Sequence, residues 1–111
     1  MGISVGTWIG DVVDPKGVTL RTDGSDVIAA WIYEDKTYPL LSGIDPYGNP
    51  IFNNLQLPRL IEELERRLNT IDIDPEVLDP GPHRRSIGKV LELARECLDA
   101  HDRPYLVFLG D

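Results

Sequence analysis

At 111 residues, with 41% hydrophobic and 27% charged side chains, the chain has the composition of a globular protein, and halving it would leave pieces too small to bury a core without metals or disulfides. A formal net charge of -8 repels phosphate backbones and weighs against nucleic-acid binding, while no apolar run approaches the roughly 20 residues that span a bilayer. The expectation is a single α+β domain over residues 1–111, cytoplasmic because Met1-Gly2-Ile3-Ser4-Val5 lacks the basic and long apolar regions of a secretion signal.

Ile3, Val5, Thr7 and Ile9 alternate with Ser4, Gly6 and Trp8, the two-residue period of a half-buried strand. Asp14-Pro15-Lys16-Gly17 is a turn signal between residues 11–13 and 18–21, so a hairpin is predicted there. After a second turn at Asp23-Gly24-Ser25, residues 27–33 are apolar on both alternating sets. A central strand covered on both faces reads this way, and so does a buried piece of helix; the Val, Ile, Trp and Tyr content favours the strand. Trp8 and Trp31 are expected in the core rather than as a stacking platform.

Residues 42–54 form a long loop rich in turn formers, with Asp45-Pro46-Tyr47-Gly48 as its tip and Asn53 or Asn54 placed to cap a helix. That helix carries Leu57, Leu60, Ile61, Leu64 and Leu68 on one stripe, with Glu62, Glu63, Glu65, Arg66 and Arg67 away from it. Pro58 suits its first turn, and the pairs Glu62–Arg66 and Glu63–Arg67 stand four apart in the favoured order. A second helix is predicted over about 84–100, its apolar face built from Ile87, Val90, Leu91, Ala94 and Leu98, with Leu93 and Cys97 widening it. His101 would lie in its last turn and complement the negative end of the helix dipole. Residues 105–109 are continuously apolar and are expected inside the sheet. The fold class is therefore α+β: an antiparallel or mixed β-sheet with two helices packed on one face and the final strand returning to the sheet.

No catalytic constellation emerges. Ser25, Ser42 and Ser86 lie in no Gly-x-Ser-x-Gly elbow, the evenly spaced Gly2, Gly6 and Gly10 precede no helix, and Cys97 lies within a helical segment as a small apolar side chain. Asp72, Asp74 and Glu76 open a segment that is partway to a calcium loop, but Val77 occupies the sixth position, where Gly belongs, and His83 the twelfth, where Glu belongs. His83 and His101 are too far apart to form a metal pair on one helix. No metal, cofactor or catalytic residue is expected, and the acidic segment reads as a solvated connection or a partner surface.

The block Tyr38-Pro39-Leu40-Leu41-Ser42-Gly43-Ile44-Asp45-Pro46-Tyr47-Gly48, with Phe52-Asn53, Gln56, the Leu60-to-Leu64 helix start and the terminal Leu109-Gly110-Asp111, resembles an uncharacterised family of small acidic actinobacterial proteins. Some members look similar to the immunity proteins of polymorphic toxin systems, and the resemblance implies a binding role without catalysis.

The leading expectation is a non-enzymatic protein-binding domain, an immunity protein neutralising a cationic toxin domain, with carboxylates where the toxin would take phosphate. The partner-binding residues expected are Asp45, Tyr47, Asn49 and Asn53 in the loop and Asp72, Asp74, Glu76 and Asp79 between the helices. Tyr47 would be the anchor, unless it folds back over the helix. The alternatives are a homodimeric scaffold or regulatory subunit, and a small enzyme using the polar loop 42–56.

Overall fold

The alternating segment near the start of the chain and the apolar run near its end meet as neighbouring strands. The computed structural model describes residues 4–9, 17–22, 38–41, 44, 50–75, 77 and 79–109. Strands β1 (Ser4–Trp8), β2 (Thr19–Leu20), β3 (Ile51–Phe52) and β4 (Tyr105–Leu109) form an antiparallel sheet in the order β2-β1-β4-β3. β4 lies inside the sheet, as its unbroken apolar run requires, because a strand buried on both faces has no polar set to show water. β1 pairs along its whole length with β4, from Ser4 opposite Leu109 to Trp8 opposite Tyr105.

The second arm of the hairpin expected about residues 14–17 pairs with β1. Thr19 and Leu20 face Thr7 and Gly6 of β1, while residues 11–13, the arm expected opposite them, lie outside the described residues. The junction after β2 is closed by Val5, whose N–H donates to the buried Thr22 Oγ1 at 2.8 Å and whose carbonyl accepts from the amides of Arg21 and Thr22. Gly17 allows the close return: a Cβ there would overlap the Trp8 ring, so only a hydrogen lets the half-buried indole lie against the chain. The predicted strand over 27–33, with Trp31, lies outside the described residues.

Helices α1 (Leu57–Thr70) and α2 (Pro80–Asp99) cover one face of the sheet, joined through a 3-10 turn at Ile71–Ile73. Val5, Phe52, Leu106 and Phe108 point from that face into a core with Leu57, Leu60, Leu64, Ile87, Val90 and Ala94. Phe52 and Phe108 meet edge to face, with centroids 5.6 Å apart, the arrangement their quadrupoles favour. Val107, of opposite parity, is 1% exposed but stands outside this cluster, so the sheet is apolar on its second face too.

Three local expectations are corrected. α2 starts at Pro80 rather than near residue 84, because Asp79 is extended and Pro80 and Pro82 occupy first-turn positions whose N–H groups have no partner within the helix. His101 falls beyond the helix, exposed in the turn after Asp99, since Ala100 is already extended and Pro104 disfavours helix at the residue before it. On α1, Glu63 and Arg67 are buried instead of facing solvent. Arg67 is turned toward Asp74, and Glu63 is covered by the segment at residues 38–41, which lies along that flank of α1: Tyr38 and Leu41 enter the core, the Tyr38 ring stacks under the Arg66 guanidinium at 4.5 Å, and its hydroxyl lies 3.5 Å from Thr70 Oγ1. Glu63 accepts the amide hydrogens of Leu40 and Leu41 at 3.0 and 3.1 Å, so this fully buried carboxylate pins the segment through backbone groups that would otherwise be orphaned.

Candidate binding surface

Sequence reasoning places partner-binding acids on the connection between the helices, but the structure turns the best of them inward. Asp74 pairs with Arg67 at 3.0 Å, with side chains only 13% and 5% exposed, and Asp72 pairs with Arg84. Opposite charges supplied from α1 and α2 thus neutralise a run that looked acidic because its bases are distant in sequence. Asp79 is exposed at the head of α2, with no side-chain capping bond, and Glu76 lies outside the described residues. Asp45, Tyr47 and Asn49 also lie outside them.

Asn53 is at a structured junction. Its Oδ1 accepts the amide hydrogens of Leu55 and Gln56, both at 3.0 Å, and Gln56 Oε1 accepts from the Asn53 amide at 2.9 Å. This reciprocal pattern is a capping box built on Asn-x-x-Gln, and it extends the start of α1 by one turn. Asn53 therefore caps as the sequence suggests, with its side-chain oxygen already committed. Beside it lies a depression of about 300 Å³ lined by Asn53, Asn54, Leu55, Arg103 and Tyr105. It joins the β3–α1 junction to the turn that links α2 to β4.

Sequence reasoning named only Asn53 of these as a binding residue; of the four it missed, Leu55 and Tyr105 left a signal. Leu55 is out of phase with the Leu57–Leu60–Leu64 stripe, so it must face away from the core, and it is 89% exposed. Tyr105 begins an otherwise aliphatic-rich strand at its open end. Arg103 gave none: it adopts φ 51°, a left-handed conformation that costs an L-residue roughly 1–2 kcal/mol and that glycine or asparagine normally fills.

The same turn is acidic on its other side. Glu92, Glu96, Asp99 and Asp102 succeed one another along the outer face of α2 and past its end; the last of them stand where the helix dipole is negative, and no basic residue occupies the last turn. Arg21 takes Glu96 at 2.8 Å, while Glu92, Asp99 and Asp102 form no ion pair among the described residues. Cys97 registers its setting. Burial first, then the Glu96 and Asp102 carboxylates, push its thiol up to about 11 against an opposing effect from Arg21. A buried, protonated thiol is a packing group and not a nucleophile.

Among the described residues no group of three or more His, Cys, Asp or Glu side chains could hold a metal ion, and no helix is long and apolar enough to cross a membrane. The fold and this surface define an acidic α+β domain with an exposed apolar residue, an arginine and a tyrosine around a shallow depression. No protein-family model, no curated protein and no solved structure matches the chain.

Proposed function

We propose that this chain is a protein-binding domain that acts without catalysis and caps a cationic partner, in the manner of an immunity protein neutralising a basic toxin domain. One observation carries the reading: Glu92, Asp99 and Asp102 are exposed without ion pairs among the described residues, and Asp99 and Asp102 stand at the C-terminal end of α2, where negative charge is unfavourable. Other carboxylates, Glu62, Glu65, Asp72 and Asp74 among them, are matched by arginines. An acid left unmatched where it costs stability is explained by a partner that supplies the cation. The net charge of -8 extends the same field over the molecule and would steer a basic surface toward it.

The test is association with a basic domain encoded beside this chain in its genome. The association rate should fall by about tenfold or more between low and physiological salt, with a smaller change in dissociation. Replacing Glu92, Asp99 and Asp102 together by their amides should reproduce most of that fall at low salt. A complex whose formation ignores both salt and the triple substitution would remove the electrostatic basis of the proposal.

A further inference from the structure

We infer that the depression at the α2–β4 turn takes the carboxyl terminus of a polypeptide bearing an apolar last side chain, with Arg103 as the group that recognises the carboxylate. Arg21, Arg59, Arg66, Arg67, Arg84 and Arg95 each lie within 4.0 Å of a carboxylate. In so acidic a chain that is the expected fate of an arginine. Arg85 and Arg103 have no such partner among the described residues, and Arg103 lines the depression. Its guanidinium is a planar fork suited to two parallel hydrogen bonds with a carboxylate, which a lysine could not supply.

The backbone points the same way. A left-handed residue in a turn is ordinarily glycine or asparagine, and an arginine held there keeps a side chain that the turn itself does not require. The start of α1 cannot take the anion in its place, because Asn53 Oδ1 already accepts from the Leu55 and Gln56 amides and the Asn53 carbonyl accepts from Leu57. Recognition therefore falls to side chains: Arg103 for the charge, Asn54 and Tyr105 at the wall, and Leu55 with the Tyr105 ring for the apolar group. A volume of about 300 Å³ stands at the lower end of the range for ligand pockets, enough for one terminal residue rather than an extended ligand. Asp102, next to Arg103 in sequence, would weaken the binding of any small carboxylate, and cationic residues elsewhere on a polypeptide ligand would offset that repulsion. The assignment of the ligand to a polypeptide rests on the binding role proposed above; the assignment of Arg103 to a carboxylate does not.

The experiment titrates N-acetyl-leucine into the full chain and follows backbone amide shifts by NMR. N-acetyl-leucinamide serves as the uncharged control and hexanoate as the free-acid control. Saturable shifts are expected at Asn54, Leu55 and Tyr105, with a Kd on the order of 1 mM for so small a ligand. Binding should weaken by about tenfold with the amide and in Arg103→Gln, as loss of a charge-assisted pair implies. Arg103→Gly should melt higher than the parent, because the left-handed backbone is then unstrained, and yet bind as poorly as Arg103→Gln. Equal shifts with acid and amide, no saturable shift, or an Arg103→Gly variant that still binds would overturn the assignment. Hexanoate binding as tightly as N-acetyl-leucine would overturn the peptide terminus as ligand. Because the salt-dependent association depends on Glu92, Asp99 and Asp102 rather than on Arg103, either proposal can fail without the other.

Discussion

The two connections that flank α2 handle charge in opposite ways. Before the helix, Asp72 and Asp74 are matched by Arg84 and Arg67, and the exposed Asp79 stands at the helix N-terminus, where the dipole favours a negative charge. After it, Asp99 and Asp102 stay unmatched among the described residues and Arg103 stands in a left-handed turn without a carboxylate. Charges satisfied internally hold the protein together; charges left over are available to something outside it. Acidity in sequence separates neither case, since the neutralising arginines of the first connection come from both helices.

Breaking the inner pair should have the largest effect. Arg67→Ala removes the ion-pair partner of the nearly buried Asp74 and should cost about 3–5 kcal/mol in denaturant unfolding. Arg84→Ala, whose pair with Asp72 is half exposed, should cost no more than about 1 kcal/mol. Asp102→Asn, on the far connection, should stay within about 0.5 kcal/mol of the parent. If Asp102→Asn proved as damaging as Arg67→Ala, the distinction between the two ends of α2 would be lost.

The buried thiol near the second connection offers a sharper probe of its negative field. In the folded chain Cys97 is raised from 9.0 to about 11, so the unfolded state releases its proton first. The stability it contributes is complete below pH 9 and is lost as the pH climbs toward 11. Unfolding free energy measured across that window should therefore fall more steeply for the parent than for Cys97→Ala. Parallel curves would mean that the thiol is not buried as described.

A smaller effect is expected beside the depression. Asn53→Ala removes the acceptor of two amide hydrogens at the start of α1 and should cost about 1 kcal/mol, whereas Asn54→Ala should be near neutral in thermal melts. Similar losses for both would show that the wall of the depression is as structural as its cap, leaving less of that surface for a partner.

Local pattern by itself determined the α+β class, the core stripe of α1, the interior place of β4, a cap at Asn53 or Asn54 and the burial of Cys97. Each depends on residues within one or two turns of each other, or on an apolar run long enough to require cover on both faces, and such information is contained in a short window. Only the tertiary structure decided that Glu63 is buried: a carboxylate on the flank of an amphipathic helix reads as solvated until the segment at residues 38–41, twenty-two residues earlier by the Leu41–Glu63 bond, brings it two amide hydrogens. It alone paired Asp74 with Arg67 and β1 with β4, and it alone left Arg103 beside an open depression without a carboxylate partner among the described residues. The physical reason is common to all of these. Whether a charge is structural or free to bind depends on which opposite charge or hydrogen-bond donor the fold sets against it, and that neighbour is chosen by packing in three dimensions rather than by position along the chain.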